Sequence, residues 1–228
     1  MMAKALSLKL FVLAALTLFV AAPAAHAASE QQDLVDKARL TLDDVKKDKE
    51  FGTTVTLLKR AKAVLIVPSL FKGGFFVGGE GGTGVLLTRE GKAAWSNPAF
   101  YTLASASFGL QIGAEESELV LIVLTDKAKQ AFMKDEFKLG VDAGLAVVTL
   151  GSSAEAATTG NLNADIVVWT SSTGAYAGLT LNGSVIKPRD SYNEAYYGRP
   201  ESPAEIVNQQ QATNPQSEPL RKTLGSFN

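Results

Sequence analysis

Seven glycines fall within the seventeen residues FKGGFFVGGEGGTGVLL, Phe71 to Leu87. Gly79, Gly81 and Gly84 match the spacing G-x-G-x-x-G, so the stretch is either a phosphate-cradling loop or a glycine-rich strand. A dinucleotide loop needs a helix opening at its third glycine, so that the helix N-terminus faces the pyrophosphate. Here only Val85 to Thr88 follow before the turn at Arg89-Glu90-Gly91. No acidic residue stands at the required distance in a second strand. A P-loop fails as well, because Val85 and Leu86 occupy the positions that need Lys and Ser/Thr. The strand reading remains, with Phe75, Val77, Gly79, Gly81, Thr83, Val85 and Leu87 sharing one face. Glycine within a strand permits a sharp bend or close backbone approach.

The surrounding pattern places this strand in a sheet flanked by helices. Leu34, Ala38, Leu42 and Val45 form one apolar stripe at helical spacing, which predicts a helix from about Ser29 to Lys49. A second short helix covers Thr53 to Lys62. From Ala63 the period becomes two. VLIV, Val64 to Val67, reads as a strand stopped by Pro68. Phe100 to Ile112 alternates, and LVLIVL, Leu119 to Leu124, is apolar on both faces and therefore central. A short helix spans Asp126 to Lys134, Leu139 to Val147 alternates again, and Gly151 to Asn163 is a small, polar loop. IVVW, Ile166 to Trp169, is another strand, and Asn182-Gly183 marks a hairpin. A helix from Asp190 or Ser191 to Tyr197 ends at Gly198, and Ser202-Pro203-x-Glu205 is a capping box. The polar residues from Ala212 onward read as a loose tail. The fold class is α+β: N-terminal helices on a strongly curved, mostly antiparallel, barrel-like sheet, then a helical C-terminus.

The first 27 residues read as a targeting segment. Lys4 and Lys9 precede the apolar run Leu10 to Ala22, which is too short to span a bilayer, and Ala25-His26-Ala27 supplies a cleavage site. The expected organisation is a signal peptide over 1–27 and one domain over 28–200. Within that domain, 28–62 is helical and 63–188 is the β-rich core; a C-terminal helix and tail occupy 201–228. The expected destination is the periplasm, with peripheral membrane association.

Two scarcities narrow the chemistry. The chain has no cysteine, which excludes disulfides and thiolate metal sites. Its one histidine, His26, leaves with the signal peptide, so a His-based triad and zinc–histidine chemistry are excluded from the processed chain. The formal net charge of −1 gives no overall nucleic-acid footprint. Ser69-x-x-Lys72 matches the S-x-x-K of serine acyl-transferases, but glycines follow where a helix is needed and no K-T-G stands in the core. The acidic pairs Glu115-Glu116 and Asp43-Asp44 read as solvated surface. No catalytic residue, metal site, cofactor or nucleotide is expected.

The basic cluster Lys59, Arg60 and Lys62, with Lys72 beyond the strand, can serve as a solvated helix face or meet anionic headgroups. The apolar neighbours Phe71 and Phe75 suit an interfacial position for Lys72. These six residues are the candidate lipid-binding set.

Lys72-Gly73-Gly74, GGEGGTG (Gly78 to Gly84), W-S-x-P (Trp95 to Pro98), GLQIG (Gly109 to Gly113), STGAYAG (Ser172 to Gly178) and YYG (Tyr196 to Gly198) occur in that order. Together they resemble the SYLF domain, also described as DUF500, over roughly Leu34 to Gly198. The resemblance implies a bacterial exported member and a non-enzymatic lipid-binding module. Eukaryotic members bind phosphoinositides, and some bind actin. Those members use a basic N-terminal helix, whereas Glu30 to Glu50 here carries seven acids against five bases. The expected partner is therefore an anionic phospholipid surface. The alternatives are an envelope assembly factor with a protein partner and, less in keeping with the terminal helices, a small outer-membrane barrel.

Overall fold

The computed structural model describes residues 29–48, 51–74, 77–90, 92, 94–108, 113–141, 147–149, 164–171, 181, 183–208 and 211–227. Phe75, most of GLQIG and STGAYAG, and the loop over 151–163 lie outside these residues. Helices α1 (Glu30–Val45) and α2 (Phe51–Arg60) precede four long strands: β1 (Ala63–Gly74), β2 (Val77–Thr88), β3 (Ala99–Phe108) and β4 (Gly113–Val123). Then come α3 (Asp126–Ala131), β5 (Phe137–Lys138), β6 (Val147–Thr149), β7 (Ile166–Thr170) and β8 (Val185–Pro188). The chain closes with α4 (Asp190–Tyr197), α5 (Pro203–Val207), a 3₁₀ turn (Pro215–Ser217) and α6 (Glu218–Gly225).

The strands form one sheet in the order β5-β8-β3-β2-β1-β4-β7-β6. All neighbours are antiparallel except β6 and β7. The sheet is strongly curled into a half-barrel, as the α+β reading requires. Three of its interior strands, β1, β4 and β7, are apolar on both faces. Val64, Ile66, Val120, Ile122 and Val167 face α1, α2, α4 and α6. Leu65, Val67, Leu121, Val123 and Val168 face α3 and α5 on the other side.

Pro68 does not end β1 as the sequence suggests; the strand continues to Gly74 through a bulge. β1 is paired on both sides, and proline cannot donate to a ladder. Both ladders accordingly shift register by one residue between Ile66 or Val67 and Leu70. The extra residue inverts the alternation beyond it. Val67 and Leu70 thus belong to the same core, although they lie three residues apart.

Gly82 and Gly84 are fitted to this bulge. A Cβ on Gly82 would lie 2.5 Å from the Ser69 carbonyl oxygen and 2.7 Å from a Val67 methyl. A Cβ on Gly84 would collide with the Ile66 carbonyl oxygen. At Gly79 and Gly81 a Cβ would meet only ordinary contacts, at 3.4 and 3.5 Å. Close approach, rather than an unusual φ, is what part of the glycine run provides. No helix follows β2, so the G-x-G-x-x-G spacing has no phosphate-loop geometry.

The C-terminal third staples the sheet. Asn193 in α4 is fully buried; its side-chain oxygen accepts from Phe100 N at 2.8 Å. Tyr197 Oη donates to Pro98 O at 2.6 Å, and Gly198 closes α4 at φ +73°. The capping box at Ser202 and Glu205 is complete. At the expected hairpin, Gly183 has φ +90°, while residue 182 and residues 172–180 lie outside the description. The tail expected to be loose instead contains α6, which buries Leu220 and Leu224 against α1. Ser217 Oγ donates to Asn97 Oδ1 at 2.9 Å and ties it to the turn before β3.

α1 is anchored to β4 by Thr41 Oγ1, which donates to Glu118 Oε1 at 2.7 Å. Burial raises the Glu118 carboxyl above its ordinary range, against the opposing hydrogen bond from Thr41.

Two stability predictions follow from these contacts. Gly84→Ala should destabilise the fold by about 3 kcal/mol, the upper end of an overpacking penalty, because the obstruction is backbone. Gly79→Ala should change stability by less than about 1 kcal/mol; urea titrations with equal losses at the two sites would refute the bulge-fitting role. Because Glu118 holds its proton more tightly when folded, its contribution to stability is full below about pH 4.3 and declines as pH rises through the folded value. Glu118→Gln, which still accepts from Thr41, should therefore be more stable than the parent at pH 7. That advantage should shrink toward pH 4, as followed by denaturation at both values.

Candidate functional site

The six residues singled out by sequence are distributed over two ends of the sheet. Lys59 and Arg60 close α2 and are exposed, where their charge complements the helix C-terminus. Lys62 is also exposed, and its Nζ lies 3.5 Å from Asp126 Oδ2. Phe71 and Lys72 stand at the far end of β1, about 30 Å along the strand from Lys62 at roughly 3.3 Å per residue. As neighbours on a strand they point to opposite faces. Phe71 is 60% exposed. Phe75 lies outside the described residues.

Lys72 sits opposite Glu80 in the β1–β2 ladder, and Glu80 sits opposite Ser105 in the β2–β3 ladder. Glu80 is buried, with Oε2 unpartnered. Burial pushes its carboxyl up, while the Lys72 charge and Ser105 draw it back. This row closes one end of the apolar interior. Ser69 lies within the bulge, and its Oγ donates to Glu116 Oε1 at 2.5 Å. A serine in a strand, engaged by a carboxylate, does not reproduce an S-x-x-K nucleophile at the start of a helix.

The other end gathers more positive charge than the sequence cluster suggests. Arg89, just after β2, donates from Nε to Ala61 O at 2.8 Å, from one Nη to Leu58 O at 2.5 Å and from the other to Lys92 O at 2.6 Å. It thereby adds a second donor to the Leu58 carbonyl in the last turn of α2, which also accepts from Ala61 N at 3.2 Å. Burial lowers its pKa from the usual guanidinium value. The same guanidinium lies 4.4 Å from the centroid of the buried Trp95 ring. From α6, Arg221 Nε donates to Trp95 O at 2.8 Å. Lys222, one residue on, pairs with Glu218 at 2.7 Å.

Three separate segments (59–62, 89–92 and 221–222) therefore meet around Trp95. Lys59, Arg60, Lys62, Lys92 and Lys222 are exposed there, with Arg89 and Arg221 half-buried beneath. Sequence reasoning finds only the first segment. The one signal for the third is the adjacent pair Arg221-Lys222, obscured by its placement in a polar tail. This arrangement can bind anions. Among the described residues, no group of three or more His, Cys, Asp or Glu side chains could hold a metal ion. No described helix is long and apolar enough to cross a membrane.

Several motifs that carry the family resemblance prove to be internal staples. The W-S-x-P segment supplies Trp95, the Ser96 Oγ that accepts from Thr88 N at 2.9 Å, and the Pro98 carbonyl bound by Tyr197. In YYG, Tyr196 Oη donates to Gln32 of α1 at 3.0 Å.

Comparison with known proteins agrees with this architecture. Residues 104–227, more than half of the chain, match the family model Ysc84, described as "Las17-binding protein actin regulator". The chain is similar to Protein YSC84 of Saccharomyces cerevisiae, at 30% identity over 197 residues, 83% of this chain and 42% of that protein. It is equally similar to LAS seventeen-binding protein 3 of the same species, at 30% identity over 196 residues, again 83% and 42%. The human SH3 domain-containing YSC84-like protein 1 is 31% identical over 172 residues, 75% of this chain and 50% of that protein. The chain thus spans half or less of the length of these relatives. The ordered motifs, the curled sheet with its helical staples and the family match converge: this chain belongs to the Ysc84 family, the family of the SYLF domain.

Proposed function

We propose that this protein is a non-enzymatic binding module that associates with anionic phospholipid at a membrane surface. The observation that carries the reading is the convergence of bases from three segments at the α2–β2–α6 end of the sheet. Each Lys or Arg near an anionic surface contributes about 1 kcal/mol. Lys59, Arg60 and Lys62 are presented for this, because their one ion pair with a described residue, Lys62 with Asp126, is exposed on both sides. Such pairs are worth little and exchange readily. Phe71, at the opposite end, offers a separate apolar contact. The N-terminal signal would deliver the chain to the periplasm, where the facing lipid surface is its partner.

A protein partner is the second reading. It is favoured by the family description, which names Las17 binding and actin regulation. In an exported member, the partner would be an envelope protein instead.

Vesicle co-sedimentation separates the two. The purified chain should sediment with phosphatidylglycerol vesicles, less so as salt rises, and should not sediment with phosphatidylcholine vesicles. Lys59→Gln, Arg60→Gln and Lys62→Gln combined should weaken that binding by about two orders of magnitude, from about 3 kcal/mol. Equal failure on both vesicle types would overturn the lipid reading. Salt-sensitive capture of one envelope protein without lipid would then favour the alternative.

A further inference from the structure

Beside the exposed bases lies a recess of about 280 Å³, lined by Ala94, Trp95, Pro215, Glu218, Arg221 and Lys222. Its walls are fixed from both sides. Trp95 is 1% exposed, with Arg89 stacked on its ring and its carbonyl held by Arg221. α6 is pinned through Leu220 and Leu224 in the core, and the turn before it through Ser217 on Asn97. The Trp95 indole N–H is buried and has no acceptor.

Arg221 has five N–H donors, and its one hydrogen bond to a described residue uses Nε alone. Lys222 is bound to Glu218 by a pair that is exposed on both partners, at 75% and 56%. Lys222 can therefore turn toward a ligand at little cost, or bridge it to Glu218. Glu218 is the one acid in the lining, set against a guanidinium and an ammonium. The donor set is two cations, with positive charge in excess over Glu218. The volume sits at the small end for ligand pockets. It suits a single tetrahedral anion with a short substituent.

We propose that this recess binds a phosphate ester, with Arg221 and Lys222 on the phosphate oxygens and Trp95 as part of the wall behind them. Arg221 offers the planar fork that matches phosphate oxygens, and Lys222 a mobile point charge. The inference extends the lipid reading without requiring it. The ester can be a phospholipid headgroup at the membrane or a free phosphomonoester in solution.

The test is a titration of the isotope-labelled full chain with glycerol 3-phosphate, followed through its two tryptophan indole N–H resonances; Trp95→Phe assigns them. The Trp95 signal should shift with saturation while the Trp169 signal stays. Lys222→Gln, which alters an exposed side chain, should weaken binding about tenfold, and Arg221→Gln more. The Lys59, Arg60 and Lys62 triple variant should retain soluble-ester binding within about twofold, because those side chains do not line the recess. A silent Trp95 signal, or Lys222→Gln binding like the parent, would overturn the proposal even if vesicle binding holds. A shift with glycerol 3-phosphate but no sedimentation with phosphatidic acid vesicles assigns the free ester to the recess and leaves the lipid reading to the phosphatidylglycerol test. A shift together with Lys222-dependent sedimentation assigns the headgroup.

Discussion

The bulge at Pro68 fixes more of this molecule than any other single contact. β1 is hydrogen-bonded on both sides, so a residue without an N–H can be accommodated only where the ladder is already interrupted. The interruption adds one residue and exchanges the two faces of everything beyond it. Leu70 is thereby turned into the core that Val67 already occupies, and Phe71 is turned outward to solvent. Without that exchange, Phe71 would lie on the inner face and Lys72 outside. Gly82 and Gly84 belong to the same constraint. Of Gly79, Gly81, Gly82 and Gly84 in β2, they are the two where a side chain would strike the backbone of β1 at the bulge. The glycine run is therefore a steric partner of Pro68 on the neighbouring strand.

That exchange also decides how the two basic regions differ. Lys72 is directed to the row that contains the buried Glu80, and its positive charge offsets part of the burial penalty on that carboxylate. A buried charge left without its partner is strongly destabilising, so Lys72 has a structural task at that end. Lys59, Arg60, Lys92 and Lys222 carry no such internal obligation. They are exposed around a rigid base made by Arg89 and Trp95. The molecule thus has one end where charge is compensated within the fold and another where it is displayed.

How much of this could be read in advance depends on the range of the interaction. Alternation and capping are local, so LVLIVL was legible as a central strand and Ser202-Pro203-x-Glu205 as a helix start. Pro68 misleads because the local rule records the lost donor but cannot see a neighbour that tolerates a bulge. The tail misleads for another reason. Leu220, Leu224 and Phe227 make an apolar stripe at spacings of four and three, yet glutamine, asparagine and serine dilute the region around them. Packing on α1 decides the outcome there, and sequence composition does not report packing. The recess is less legible still, since Trp95 and Arg221 are brought together across 126 positions of chain.

The same distinction bears on what family membership transfers. Trp95, Ser96, Pro98, Tyr196, Tyr197 and Gly198 make the motifs recognisable, and they act by holding α4, α6 and the sheet together. Their presence argues for a shared scaffold. It does not specify what the scaffold binds, because function lies in the residues grafted onto it. In this chain the α1 segment is more acidic than basic, so any electrostatic attraction to an anionic surface must come from elsewhere. The α2–β2–α6 corner meets that requirement. Its charges are borne by side chains whose removal leaves both cores intact, while the backbone beneath them is held by Arg89 and Arg221. A surface so built can change its ligand by substitution at a few exposed positions without disturbing the fold. The scaffold motifs can therefore persist while the displayed charges, and with them the partner, differ between this chain and its longer relatives.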